Sequence, residues 1–283
     1  MTGCAATILI PTTGDRGPVL GHSVASVLAQ TVDDLELFIV GDGVTPETRA
    51  IAGELVRADP RVRFVDRPAH ERRGEPYRHE LLGGPATGAI VAYLCDRDLW
   101  LPTHLEELGR CLADADFAHT LRFRVDEADR YRFTHLSDLA GPDRIEREGY
   151  PGLVPLSFAG HTLAAYRRLP HGWRTTPEGR QTDRYMWDQF LDEPWVRVAT
   201  SAVPTVLSFK RGDHPGLSTA GRCEILERWS PRLEAPGGAD AVQREVLLAL
   251  WRTWRELEVS ARPRRGRWRR VVPRSLRRRR GGR

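Results

Sequence analysis

The sequence predicts an α/β fold built on a mostly parallel, twisted sheet with helices on both faces, followed by a C-terminal helix and a basic tail. Three observations predict it. Short apolar runs alternate with stretches of helical period from residue 5 to about residue 125. The runs give way to Pro, Gly or Asp, the residues that end strands and open turns. A chain of 283 residues with 40% hydrophobic content is also long enough to bury such a sheet on both sides.

Taken in order, Ala5 to Ile10 reads as the first strand, stopped by Pro11, and Leu20, Val24, Val27 and Leu28 then recur at helical spacing. Glu36 to Val40 is a second strand. Thr45 and Pro46 suit the N-cap and first turn of the next helix, which would bury Ile51 and Leu55. Val62 to Val65 and Ala89 to Leu94 are the third and fourth strands. Pro102 opens a helix striped by Leu105, Leu108 and Leu112, and Phe117 to Val125 reads as one more strand. Further on, Met186, Phe190 and Leu191 mark a helix and Pro204 to Lys210 a strand. Pro231 to Gly238 reads as a linker. Ala241 to Val259 reads as a helix in which Val242, Val246, Leu250 and Leu257 share a face with Trp254.

Charge is unevenly placed. Twelve arginines and no acid lie between Ser260 and Arg283, so the formal net charge of +5 becomes −7 for the rest of the chain. Such a run, broken by Pro263, Pro273 and glycines, is expected to be disordered. Trp268, Val271, Val272 and Leu276 among its arginines also suit an anionic membrane surface, whereas no nucleic-acid reading module accompanies it. Cys4, Cys95, Cys111 and Cys223 are scattered without CxxC pairing, which argues against a zinc site or disulfide framework. With no long apolar span and no leader-like N-terminus, the expected location is cytoplasmic, with peripheral attachment to the inner face of the membrane as a further option.

Ligands of parallel sheets sit at the carboxyl ends of the strands, where Pro11 to Asp15, Gly41 to Gly43 and Asp96 to Asp98 would converge. In an extended strand Asp96 and Asp98 share a face while Arg97 points away, so the two carboxylates could hold Mg²⁺ or Mn²⁺ carrying a diphosphate. A solvated turn is the plainer reading of the same triplet. The first turn lacks GxGxxG, and the single lysine, Lys210, stands in no GKS or GKT, so neither a dinucleotide fold nor a P-loop fits.

Thr7 to Thr13 (TILIPTT), Ser23 to Thr31 (SVASVLAQT), Leu35 to Thr48 (LELFIVGDGVTPET) and Ala92 to Leu105 (AYLCDRDLWLPTHL) together resemble glycosyltransferase family 2, inverting nucleotide-sugar enzymes of the GT-A fold. The likeness covers residues 5 to 125 well and extends more weakly to about 210. It implies a nucleotide-sugar-binding half at 1–125, an acceptor-side half at 126–230, a C-terminal helix at 239–260 and a tail at 261–283. Pro11, Thr12 and Thr13 would line the nucleotide site, Asp42 would accept a hydrogen bond from the base, and Gly41 replaces a family acid. Arg78 matches an arginine that meets a phosphate, with a surface salt bridge as the alternative.

By the same resemblance Asp183 would be the base that deprotonates a hydroxyl acceptor, on a glycan, a lipid carrier or a small molecule, with Glu178 as the next candidate. A helix-capping role is the other reading of Asp183. His161 and Trp100 fall on the acceptor side, although both could equally be packed structurally. One departure stands out: Arg97 occupies the place of the family's metal-binding aspartate. Asp96 and Asp98 could hold Mn²⁺ or Mg²⁺ in a shifted register, Arg97 could itself neutralise the diphosphate, or the site could be silent. The rival to a sugar transferase is therefore a catalytically silent protein that binds a nucleotide sugar or a partner through the same cleft.

Overall fold

The structure, a computed structural model, describes residues 3–133, 136–141 and 154–261. The expected basic tail, from 262 onward, lies outside the described residues. A seven-stranded sheet runs β10-β6-β9-β4-β1-β2-β3. Its strands are β1 (Ala6–Gly14), β2 (Leu35–Val44), β3 (Val62–Arg67), β4 (Ile90–Tyr93), β6 (Phe117–His119), β9 (Ala159–Thr162) and β10 (Val198–Thr200). The pairs β1/β2, β1/β4, β2/β3 and β10/β6 are parallel, and β9 runs antiparallel between β4 and β6. The mostly parallel sheet expected from the alternation is present, with one reversed strand supplied by the second half of the chain.

β1 and β2 are buried along nearly their whole length, as strands covered on both faces must be. Helix α1 (Gly17–Leu28) buries Leu20, Val24 and Val27. Helix α2 (Pro46–Ala58) opens as expected, the Thr45 hydroxyl accepting the Thr48 N–H at 3.3 Å with Pro46 in the first turn. Its most deeply buried residues are Thr48 and Ala52, while Ile51 and Leu55 are half-buried. Helix α3 spans Glu75–Gly83, and α4 (His104–Leu112) buries Leu105, Leu108 and Leu112 on one stripe. The pairing of β1 with β4 ends at Leu9 and Tyr93, so Pro11 lies beyond it, where its missing N–H breaks no ladder on that side.

Two expected boundaries differ. Phe117 to Val125 is not one strand: β6 stops at His119, and β7 (Arg124–Val125) pairs instead with β8 (Tyr131–Arg132). The expected linker from Pro231 begins inside α7 (Thr219–Glu234), so only a short turn precedes α8 (Gly238–Ala261). In the second half, α5 is Leu163–Arg168, α6 is Thr182–Leu191, and β11 (Val206–Leu207) pairs with β5 (Leu99–Trp100). A smaller core joins these last elements to α1 and α7 through Val19, Leu99, Leu207, Phe209, Leu226, Trp229, Val242 and Val246. Only the first half of the α8 apolar face is used there: Trp251, Trp254 and Leu257 are exposed. Among the described residues no helix is long and apolar enough to cross a membrane.

Candidate active site

The last rung between β4 and β1 is the Leu94 N–H donated to the Leu9 carbonyl at 3.1 Å. The chain then turns rather than extends, the Asp98 N–H closing on the Cys95 carbonyl at 3.0 Å. The turn sends Asp96 and Asp98 to different surroundings. Asp96, 3% exposed, accepts the Arg16 guanidinium at 2.8 Å on one oxygen and the Thr12 hydroxyl at 2.9 Å on the other. Asp98 is 2% exposed and accepts the Phe209 N–H at 3.0 Å and the Ser157 hydroxyl at 2.6 Å. Burial pushes the Asp98 carboxyl above its ordinary range, against the pull of Arg97 and the Ser157 bond.

This donor set does not fit a divalent cation. All four carboxylate oxygens are already engaged, Asp98 faces the interior, and the Arg97 guanidinium lies 3.9 Å from Asp96. The expected Asp96 and Asp98 metal site is therefore corrected: Asp96 holds the β1 turn to the end of β4, and Asp98 ties that turn to β11 and to the segment before β9. Burial opposes the charge on Arg97, but the carboxylates of Asp98, Asp96 and Asp183 around it together hold it protonated. Cys95 itself is pushed up to about 12, chiefly by burial, which leaves it a neutral thiol with no nucleophilic role.

At the end of β2, Gly43 adopts φ +61° with the backbone of Ala69 so close that a Cβ would collide with it. Gly41 stands beside the Phe64 ring, which would lie 2.8 Å from a Cβ, so packing fills the place of the family's first acid. Asp42, 9% exposed, accepts the His70 N–H at 2.5 Å with Oδ1. Its Oδ2 faces Gly74, whose φ of +62° and lack of a side chain keep that approach open. Thr13 donates to the Asp42 carbonyl at 2.7 Å, joining the two strand ends.

Asp183 lies in the first turn of α6 and caps nothing there; its Oδ2 instead accepts the Leu156 N–H at 3.1 Å. Burial raises its pKa, opposed by the charges of Arg78, Arg73 and Arg97 and by the Leu156 bond. The carboxylate thus stands within electrostatic reach of the turn after β4. Arg78 is buried and does not form the alternative surface salt bridge. It is 3% exposed, covers the Trp173 ring at 4.1 Å and donates to the Arg73 carbonyl at 3.2 Å, with Asp183 and Glu75 as its nearest opposing charges. Glu75, wholly buried, has its pKa lowered: burial opposes its charge, and hydrogen bonds from Thr176 and Arg73 overcome that. Glu178 is exposed.

The acceptor-side placement of Trp100 and His161 is also corrected, because neither reaches a cleft. Trp100 is 1% exposed, donates its indole N–H to the Ser157 carbonyl at 3.0 Å and stacks on His104 with centroids 4.2 Å apart. His161 is fully buried in β9; its Nδ1 lies 3.0 Å from the Thr162 carbonyl and its Nε2 2.7 Å from the Tyr93 hydroxyl. A carbonyl only accepts, so Nδ1 carries the proton and Nε2 accepts from Tyr93, which in turn accepts the Trp173 indole N–H at 2.9 Å. Desolvation lowers the His161 pKa to about 4.

Several site residues carry no signal strong enough to find in sequence. Arg16 stands in the unremarkable turn Gly14, Asp15, Arg16, Gly17. Arg73 and Glu75 lie in a polar loop and helix start. Arg222, on α7 and within electrostatic reach of Arg97 and Arg16, falls beyond the family-like segments.

This strand order, with its ligand-facing strand ends at β1, β2 and β4, defines a GT-A-like fold. Residues 7–171 match the family Glycosyl transferase family 2, and the chain belongs to that family. An uncharacterised glycosyltransferase from Nostoc sp. is 31% identical over 97 residues, covering 34% of this chain and 30% of that protein. This chain thus aligns with less than a third of that relative. Among solved structures, S. aureus TarS 1–349 superposes with TM-score 0.51 at 13% identity, covering 91% of this chain and 75% of the other. The same protein in complex with UDP gives TM-score 0.53 at 13% identity, covering 81% and 71%. In complex with UDP-GlcNAc it gives 0.51 at 14%, covering 87% and 72%. At such identity these likenesses establish the fold.

Proposed function

We propose that the protein moves a sugar from a nucleoside-diphosphate donor to a hydroxyl acceptor with inversion, and that Asp183 is the base. One observation carries the reading: Asp183, held at the start of α6 by the Leu156 N–H at 3.1 Å, faces the charges of Arg78, Arg73 and Arg97 and so lies within electrostatic reach of the turn that ends β4. In the reaction the acceptor oxygen forms a bond to the anomeric carbon while the bond from that carbon to the diphosphate breaks. The electron pair leaves with the diphosphate oxygen, and the acceptor proton passes to Asp183. Pro11, Thr12, Thr13 and Asp42 line the nucleotide, Asp42 Oδ2 accepting from the base. The UDP and UDP-GlcNAc held by the TarS neighbours support a nucleotide-sugar partner.

Transfer of radiolabelled sugar from UDP-, GDP- or dTDP-sugars to a panel of hydroxyl acceptors tests the reading. Donor binding with neither transfer nor hydrolysis would favour the silent relative. We also propose a peripheral membrane location on the cytoplasmic face. The exposed Trp251, Trp254 and Leu257 of α8 and the Arg-rich segment after it support contact with an anionic lipid surface.

A further inference from the structure

Two guanidinium groups flank Asp96 at the end of β4, Arg16 from the turn after β1 at 2.8 Å and Arg97 from the turn after β4 at 3.9 Å, and Arg222 from the first turns of α7, which donates to the His214 carbonyl at 3.4 Å, lies within electrostatic reach of both. Each is held away from open solvent, Arg222 at 8% exposure and the Arg16 and Arg97 side chains at 13% and 23%. Arg222 is opposed by burial and by the charges of Arg97, Arg16 and Arg211, with Asp96 a weaker counterweight. Lys210, which follows β11, is likewise opposed by burial, by Arg122 and Arg124 and more weakly by Arg97, with Asp213 against them. Asp96, Asp98 and Asp183 offset the charge of Arg97, whereas Arg222 has only the weaker counterweight of Asp96, so a further anion reaching this strand end would be favoured.

The hydrogen bonds point the same way. Arg97 Nε and Arg222 Nη1 are buried donors without an acceptor, and buried donors are ordinarily satisfied. Of the neighbouring carboxylates, Asp96 is spent on Arg16 and Thr12, Asp98 on Ser157 and Phe209, and one oxygen of Asp183 on the Leu156 N–H. What remains is donor capacity and positive charge at the strand end where the diphosphate of the proposed donor lies.

Building on the proposed donor site, we propose that Arg97, with Arg16 and Arg222, binds the diphosphate directly and supplies the counter-charge that a divalent cation would otherwise supply, so that donor binding needs no metal. Planar guanidinium forks match the paired non-bridging oxygens of phosphates, and their hydrogen bonds to them are charge-assisted. The charge developing on the leaving diphosphate is met by groups already in place. Arg97 is then the substitution that makes the family's aspartate unnecessary.

Isothermal titration of the full chain with UDP, GDP, dTDP and inorganic pyrophosphate, each in EDTA and in Mn²⁺, tests this. At least one nucleoside diphosphate is expected to bind with a Kd that agrees within about twofold between the two conditions. Arg97→Gln and Arg222→Gln are each expected to weaken it by about tenfold or more in both. Arg97→Lys, which keeps the charge and the fold but loses the fork, is expected to fall between. Binding that appears only with Mn²⁺, or affinity unchanged in both glutamine variants, overturns the inference while leaving the donor site standing. An absence of binding under every condition removes the donor site itself, and the inference with it.

Discussion

Replacing Asp183 by Asn removes one charge and changes almost nothing else. The amide oxygen can still accept the Leu156 N–H that the carboxylate accepts at 3.1 Å, so the start of α6 keeps its anchor. What goes is the proton acceptor. A positioned base contributes on the order of 10² to 10⁴ in rate, which at about 1.4 kcal/mol per decade is roughly 3 to 5 kcal/mol of barrier. kcat should fall by that factor while the Kd for the nucleoside diphosphate stays within about threefold, since no donor contact is assigned to Asp183. The sign of the pH dependence follows from the raised pKa. The base works only when ionised, so activity is lost as pH falls through its pKa, and that acid limb should lie above the ordinary aspartate value. The assay is transfer kinetics against pH for both proteins. Turnover of the variant within about threefold of wild type, or an unchanged acid limb, would refute the assignment.

Three further outcomes follow from the same structure. His161 and His104 are buried and neutral, their pKa values lowered to about 4 and about 3. Unfolding raises each to about 6.5, so stability is full above that pH and falls on acidification towards pH 4, by roughly 1.4 kcal/mol per pH unit per histidine. Chemical denaturation of His161→Gln across this window should show a shallower slope than wild type; an identical slope would contradict the neutral assignment. Asp98→Ala leaves the buried Phe209 N–H and Ser157 hydroxyl without their acceptor, at a cost of about 1 to 3 kcal/mol each, and should lower Tm in EDTA and Mn²⁺ alike. A drop seen only with Mn²⁺ would return Asp98 to the metal. Deleting residues 262–283 should reduce binding to anionic liposomes and abolish much of its salt sensitivity; unchanged cosedimentation would discard the membrane contact.

The elements of the first half were legible because their causes are local. Thr45 and Pro46 start α2, and Leu105, Leu108 and Leu112 stripe α4, by rules that need no knowledge of the rest of the chain. β9 was not legible, since Phe158 to Tyr166 carries little periodicity and β9 exists because β4 and β6 leave a gap between them. His161 and Trp100 show the matching limit for the site. Residue type marks both as able to meet a ligand, and only the long-range partners Tyr93 and Ser157 show them spent on the core. The arginine group is harder still, because Arg16 and Arg222 come within electrostatic reach of each other across 206 positions of sequence and neither stands in a motif.

Asp96 and Asp98 fail as a pair for a reason that can be stated in one geometric rule. Side chains two apart share a face only while the backbone is extended, and β4 ends at Tyr93, before either aspartate. Once Asp98 closes its turn on Cys95, alternation no longer applies. One carboxylate swings out to Arg16 and Thr12 and the other inward to Ser157 and Phe209. The same turn presents Arg97 beside Asp96, at 3.9 Å, so a change of residue and a change of backbone act together. An acid placed at 97 would stand where the guanidinium stands now, beside Asp96 and within reach of the diphosphate. Arg97→Asp therefore has a sign that separates the two ways of holding a phosphate: it should abolish donor binding in EDTA, because it adds a negative charge where the structure has arranged positive ones.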